Sequence, residues 1–128
     1  MEMRDFIKKG DVFIVDLGED RKGSEQKGKR PCVVIQNNKN NRFSKTVIVA
    51  LISTKEKKDR KGKGYEFHVP LAKGKGGMKE DSVVLLEQII TIDKKARIVR
   101  KIGSISLDSE LLKKIDEALK YSLFIDKE

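Results

Sequence analysis

The chain has few of the residues from which disulfides and metal centres are built. Its 128 residues include one cysteine, one histidine and no tryptophan. A single cysteine excludes an internal disulfide, and one cysteine with one histidine cannot supply a soft-ligand metal site. No stretch approaches the length of a membrane span, and the N-terminus lacks the apolar core of a signal peptide. Cys32 falls in an apolar run, so we expect a buried thiol and a cytoplasmic protein.

Basic residues are in clear excess over acidic ones. The chain has 29 lysines and arginines against 20 aspartates and glutamates, which gives a net charge of +9. The basic residues cluster at 55–63 and at 94–101. Clustered excess charge of this size favours a nucleic-acid partner over a lysine-rich surface that is merely solvated.

The apolar pattern predicts a mainly β, α+β fold in one domain. Short apolar runs between polar or glycine-rich loops predict strands at 11–17, 31–36, 46–52, 65–69, 82–86 with 89–92, and 98–105. Residues 37–44 read as a polar turn, and in 65–69 the alternation places His68 on the polar face. Asp108 is a candidate N-cap for a closing helix. The apolar stripe of that helix belongs to the core, in part to a dimer face, and comprises Leu111, Leu112, Ile115, Ala118, Leu119 and Ser122.

One segment imitates a phosphate-binding loop. Residues 23–29 read G-x-x-x-x-G-K, but Arg30 stands where a P-loop has serine or threonine. Pro31 and a strand follow, whereas a P-loop needs a helix N-terminus to cradle phosphate. Nucleoside triphosphate binding is therefore excluded.

Arg30 is nevertheless the leading candidate for a phosphate ligand. Pro31 restricts the chain beside it and a buried strand follows, so its guanidinium is well placed for bidentate contact. The third strand ends at Ser53 and Thr54. If the second and third strands are neighbours, Arg30 and Ser53 converge on one phosphate and can stabilise a pentacoordinate phosphorane. From spacing alone, Ser53 and Thr54 read more simply as a pair that caps the following turn.

Several motifs agree with one known family in order and spacing. The chain resembles the MazF/PemK toxins, and more narrowly the MazF endoribonucleases of Gram-positive bacteria, from about Gly10 to the C-terminal helix. The matching stretches are 10–12, 23–26, 29–31, 35–37, 41–44, 81–89 and 91–94.

The resemblance implies a specific activity and architecture. It implies one MazF-like toxin domain over 1–128, with 1–9 as an extension, folded as an SH3-like barrel of the CcdB/MazF type with a C-terminal α-helix. Such toxins belong to type II toxin–antitoxin systems. They cut single-stranded RNA at short sequence motifs without metal or other cofactor, leaving a 2′,3′-cyclic phosphate and a 5′-hydroxyl. The implied partners are RNA, a second copy of the chain and an acidic MazE-like antitoxin.

The resemblance also implies the catalytic residues. The family's catalytic arginine falls on Arg30, and its catalytic hydroxyl, usually threonine, falls on Ser53. Serine donates the same hydrogen bond but lacks the methyl group that restricts χ1, so we expect activity to survive. Thr54 ranks second because it would point to the other face of the strand. Guanidinium stays protonated in proteins, which leaves Glu25 either as the general base or as a solvated loop carboxylate.

Seven positions match RNA contacts of the family. A loop of Ser24, Glu25 and Gln26 would read bases, Asn37 and Gln88 would present amides to base edges, Glu87 would accept from an exocyclic amine, and His68 would stack on or bind a base. The simpler alternatives are a turn residue at Asn37, a polar strand end at Glu87 and Gln88, and a structural histidine at His68.

Two other functions fit the same fold. The related CcdB toxins inhibit gyrase without cutting RNA, and a non-catalytic RNA-binding barrel would need only the charge and the strands. Arg30 separates these alternatives, because only a nuclease requires Arg30 and Ser53 at one phosphate.

Overall fold

The computed structural model describes residues 6–23, 27–54 and 65–123. Within these ranges the chain forms one sheet of six antiparallel strands: β1 (Asp11–Asp16), β2 (Lys29–Val34), β3 (Thr46–Ser53), β4 (His68–Leu71), β5 (Ser82–Asp93) and β6 (Ile98–Ser104). Their order across the sheet is β4-β5-β3-β2-β1-β6. The helices are α1 (Asn38–Phe43), α2 (Lys94–Arg97) and α3 (Ser109–Leu123). The predicted mainly β fold with a C-terminal helix is confirmed.

Each face of the sheet carries its own apolar cluster, because alternate side chains of a strand point to opposite faces. One cluster is covered by α3, whose Leu111, Ile115 and Ala118 are buried as the helical spacing predicts. Asp108 caps this helix, with Oδ1 accepting from the backbone N–H of Leu111 at 3.1 Å. The other cluster lies on the opposite face and comprises Ile7, Phe13, Val15, Leu17, Cys32, Val34, Val47, Val49, Leu51, Ile92 and Ile98.

A glycine contact joins the two ends of the sheet. The segment after β4 forms a 3₁₀ turn at Lys75–Gly77 that packs on β6. A methyl group added at Gly77 would overlap the carbonyl oxygen of Ile102, and one added at Gly103 would overlap the backbone of Gly76. The close backbone approach requires glycine, and it curls the open sheet into a barrel by linking the side of β4 to β6.

The structure differs from the sequence prediction in several elements, among them α1, β5, β4 and the unpredicted α2. Residues 37–44 form a helix rather than a turn, with Asn37 as its N-cap. β5 is one continuous strand, since a bulge accommodates residues 86–88 where the pairing passes from Leu85 to Ile89. β4 begins only at His68, and Tyr65 lies before the strand. None of the helices in the described ranges is both long enough and apolar enough to span a membrane.

Candidate active site

Arg30 lies at the start of β2 and faces solvent. It pairs with Val15 on β1, and its Nε donates to the backbone carbonyl of Lys27 at 2.9 Å. This bond orients the guanidinium group, whose Nη atoms carry four further N–H donors. An arginine anchored at Nε in this way presents a flat donor edge suited to phosphate oxygens.

The strand register sets Ser53 opposite Arg30. The recorded pairs between β2 and β3 are Cys32 with Leu51, Val33 with Ala50 and Val34 with Val49. Continued by two residues toward the start of β2 and the end of β3, this register pairs Arg30 with Ser53, both of which lie within their strands. Residues directly opposite in antiparallel strands share a face, with Cβ atoms about 5 Å apart. The recorded pairs end at Cys32 and Leu51, so the convergence of Arg30 and Ser53 on one phosphate stays a prediction.

The residues beside Arg30 and Ser53 on the same face of the sheet are apolar. The next residues on the same face of β2 and β3 are Cys32 and Leu51, and both are buried. Burial raises the pKa of the Cys32 thiol to about 12. The thiol therefore stays protonated and takes no part as a nucleophile. Thr54, the second candidate hydroxyl, is exposed and follows the end of β3.

His68 and Glu87 form a second polar pair on the same face. His68 on β4 pairs with Leu85 on β5, and Leu85 pairs in turn with Leu51 on β3. The imidazole Nε2–H donates to the carboxylate of Glu87, 3.0 Å from both oxygens. At about 4.8 Å per strand, β4 lies about 10 Å from β3 and about 14 Å from β2. His68 is thus displaced sideways from Arg30 and Ser53 rather than in contact with them.

The predicted polar face does not leave the His68 ring open to solvent. Its side chain is 5% exposed, because the rings of Tyr65 and Phe67 pack edge-on against it at centroid distances of 5.1 and 4.8 Å. The alternation pattern assigned these aromatic residues to the opposite face, but β4 begins only at His68, so the chain before it is free to bend over the ring. The Nδ1 atom is buried and has no hydrogen-bond partner in the part of the chain that the structure describes.

The remaining candidates are dispersed. Asn37 caps α1, with Oδ1 accepting from Asn40 N–H at 2.9 Å, and it lies beyond the far end of β2 from Arg30. Glu87 is exposed and Gln88 half-buried in the bulge of β5. The strand from Arg30 to Val34 alone spans about 13 Å. Within one copy of the chain, Asn37 is therefore not brought to the Arg30–Ser53 pair.

The predicted base-reading loop, Ser24, Glu25 and Gln26, lies outside the described residues, as does the basic run at 55–63. The other basic run is not uniformly exposed. Lys94 is buried and its Nζ donates to the carbonyl oxygen of Asn41, whereas Lys95, Arg97, Arg100 and Lys101 face solvent. Across the three described ranges, no three His, Cys, Asp or Glu side chains are grouped to hold a metal ion.

The chain is similar to known toxins over nearly its whole length. Residues 8–123 match the family described as PemK-like, MazF-like toxin of type II toxin–antitoxin system. Endoribonuclease EndoA of Bacillus subtilis (strain 168) is 47% identical over 117 residues, covering 91% of this chain and 94% of that protein.

Solved structures agree on the fold. MazF from Deinococcus radiodurans superposes with a TM-score of 0.72 at 21% identity, covering 93% of this chain and 97% of that one. A mycobacterial endoribonuclease in complex with its cognate antitoxin gives a TM-score of 0.69 at 20% identity, covering 95% of this chain and 99% of that one.

Proposed function

This chain belongs to the PemK-like, MazF-like toxins of type II toxin–antitoxin systems, and from that premise we propose that it cuts single-stranded RNA at a phosphate held between Arg30 and Ser53. It is an endoribonuclease of this family. The proposal adds the site, the substrate strand and the chemistry: sequence-specific cleavage of messenger RNA to a 2′,3′-cyclic phosphate and a 5′-hydroxyl.

The observation that carries the site is the register between β2 and β3. It supports an arginine fork and a hydroxyl at one phosphate, on neighbouring strands whose backbone is tied into the sheet. Arg30 is oriented by the carbonyl of Lys27. Donors that are preorganised in this way stabilise developing charge without paying for rearrangement during the reaction.

The substrate supplies its own nucleophile. The ribose 2′-oxygen attacks the adjacent phosphorus, the P–O2′ bond forms, and the P–O5′ bond breaks. The 2′-hydroxyl proton passes to a base, and the 5′-oxygen takes up a proton as it leaves. Arg30 neutralises the two non-bridging oxygens through its fork, while Ser53 donates its hydroxyl proton to one of them. The reaction needs no metal, and DNA, which lacks the 2′-hydroxyl, is bound without being cut.

The proton acceptor is a separate group. Arg30 remains protonated throughout, because guanidinium does not lose its proton in proteins. Glu25 is the candidate base, since its carboxylate belongs to the loop that precedes Arg30 in the chain.

Flanking bases are read beside the scissile phosphate. Glu87 and Gln88 lie on β5, the strand next to β3, and His68 lies on β4. The distance of about 10 Å from β4 to β3 corresponds to about three stacked nucleotides. Glu87 and Gln88 therefore contact bases near the cleaved bond, with the enclosed His68 ring holding the Glu87 carboxylate, and Ser24, Glu25 and Gln26 contact others. Asn37 lies beyond the far end of β2 and contacts RNA further along the strand.

The partners follow from charge and exposed apolar surface. The net charge of +9 favours RNA and an acidic, MazE-like antitoxin that competes for the same groove. Tyr121 and Leu123 on α3 are each 50% exposed, which supports a homodimer that covers part of this helix. The protein acts in the cytoplasm, where messenger RNA is available and Cys32 stays reduced.

The test is cleavage of a long single-stranded RNA by the purified protein in EDTA, followed by mapping of the 5′ ends. Wild type is expected to cut at a short recurring sequence and leave 5′-hydroxyl ends. Arg30→Ala should abolish cutting while thermal unfolding stays unchanged, because Arg30 is exposed. Arg100→Ala is the matched control, since it removes an exposed arginine from β6. Intact RNA with wild type, or cutting that survives Arg30→Ala, would refute the mechanism.

A further inference from the structure

Two exposed phenylalanines lie beside cations around α1. Phe6 is 61% exposed and Phe43 75% exposed. The guanidinium carbon of Arg42 lies 5.7 Å from the centroid of the Phe43 ring. Arg42 also lines an open cavity of about 370 Å³ whose other walls are Phe6, Ile7, Lys8 and Asn38. Arg42 therefore connects the exposed ring of Phe43 to a recess large enough for a planar group.

The segment that carries Phe43 is basic. Lys39, Arg42 and Lys45 are exposed, and no acidic residue occurs between positions 27 and 46. Among the ion pairs of the described residues, none involves these three cations. Unneutralised charge beside exposed aromatic rings is the composition of surfaces that bind single-stranded nucleic acid, with rings for bases and cations for phosphates.

Buried polar contacts hold this surface in place. A helix of six residues is not stable by itself, yet α1 is anchored by Asn41, whose amide exchanges hydrogen bonds with Gln36 at 2.8 and 3.0 Å. Buried Lys94 donates to the carbonyl of Asn41, and Asn38 accepts from the backbone of Lys9 at 2.7 Å. The exposed rings and cations are thus presented from a fixed base.

We propose that this surface, the α1 patch (Phe6, Lys39, Arg42, Phe43 and Lys45), binds the RNA strand outside the cleavage site. The inference rests on the proposed function for the identity of the strand. The patch lies beyond the end of β2 opposite to Arg30, and the strand between Arg30 and Val34 alone matches about four stacked nucleotides. The patch therefore holds RNA that a short substrate cannot supply, and it raises affinity for long RNA without touching the reacting atoms.

The test compares binding of two RNAs that both carry the mapped cleavage site with one 2′-deoxy substitution that blocks cutting. One is about 6 nucleotides long and the other about 20, so that only the longer strand reaches the patch. Phe43→Ala should weaken binding of the long RNA by about tenfold and leave the short RNA unchanged, because one stacked base is lost. Arg42→Gln should also flatten the salt dependence for the long RNA.

Controls separate this proposal from its alternatives. Arg100→Gln and Leu107→Ala remove an exposed arginine and an exposed apolar side chain elsewhere, and both variants should bind both RNAs as wild type does. Unchanged binding of the long RNA by Phe43→Ala, or an equal loss for both RNAs, would overturn the proposal. The proposal would also be overturned if Phe43→Ala changed the protein from a dimer to a monomer in light scattering, because the patch would then be a contact between two protein chains. Mapped cleavage by wild type, absent in Arg30→Ala, tests the proposed function independently of these results.

Discussion

Two polar pairs lie on one face of the sheet: the proposed site of Arg30 and Ser53, at the adjacent ends of β2 and β3, and the hydrogen-bonded pair of His68 and Glu87 on β4 and β5. Arg30 faces solvent and is oriented by a backbone carbonyl. The His68 ring is 5% exposed and enclosed by aromatic rings and a carboxylate. Arg30 is open to a substrate, whereas the His68 ring is built into the protein.

The difference in exposure distinguishes residues that act in the reaction from residues that stabilise the fold. A group that stabilises a transition state must meet the substrate, so its removal costs rate rather than folding free energy. A group enclosed by packing contributes to the free energy of unfolding, and its removal leaves a cavity and an unpaired partner. Substitutions in the two pairs should therefore give opposite profiles of activity and stability.

After Arg30→Ala, Ser53→Ala should show the largest effect, and that effect should fall mainly on activity. Removal of one donor to a developing oxyanion lowers kcat by about 10²- to 10³-fold, or about 3–4 kcal/mol. The measurement is single-turnover cleavage of the mapped RNA, with the melting temperature measured in parallel. Ser53→Thr, the side chain usual in the family, should retain activity. Loss of stability without loss of rate would assign Ser53 to the role of a strand cap.

His68→Ala should show the reverse profile. The ring packs against Tyr65 and Phe67, and its Nε2–H satisfies Glu87. We expect the free energy of unfolding to fall by about 2–3 kcal/mol, measured by urea denaturation. Cleavage should fall less than in Ser53→Ala once the protein is folded. Glu66→Ala, at an exposed position beside the ring, is the control. Unchanged stability would mean that the enclosed geometry does not persist in solution.

The sequence predicts the open pair better than the enclosed one. Apolar runs that end in polar residues indicate both the buried strands and the hydroxyl at the rim, and the adjacency of β2 and β3 that the predicted site requires is observed. The environment of His68 depends on where β4 begins and on how Tyr65 turns, and neither is encoded in a period of two residues. The alternation pattern does not predict where side chains at the end of a strand point, because tertiary packing determines their direction.

The sequence pattern does not predict helix α1, for a related reason. Its sequence, Asn38–Phe43, contains three asparagines, which favour turns and caps over helix interiors. What stabilises it is a buried amide pair, Gln36 with Asn41, and the cation of Lys94 at the carbonyl of Asn41. The Lys94 contact joins residues 53 positions apart along the chain, so a local pattern does not contain it. Asp108, by contrast, acts through its own neighbours, and its cap is predicted correctly.

Substitution of Cys32 should have the smallest effect on stability. It tests whether water is excluded from the buried row of side chains between the two polar pairs. The thiol lies in the same cross-strand row as Leu51, Leu85 and His68, and burial raises its pKa to about 12 from 9.0. The folded state then holds its proton more tightly than the unfolded state. Its contribution to stability is complete below pH 9 and is lost as pH rises toward 12.

Relative to Cys32→Ala, wild type should therefore lose about 1.4 kcal/mol of unfolding free energy between pH 8 and about pH 10, which is one pKa unit above the unfolded value. Urea denaturation of both proteins at the two pH values measures the difference, and the lysines that titrate in both cancel. Parallel curves would mean that water reaches the thiol. Water would then reach the residues that underlie Arg30 and Ser53. The local dielectric constant would be higher, and the two donors would stabilise the transition state less.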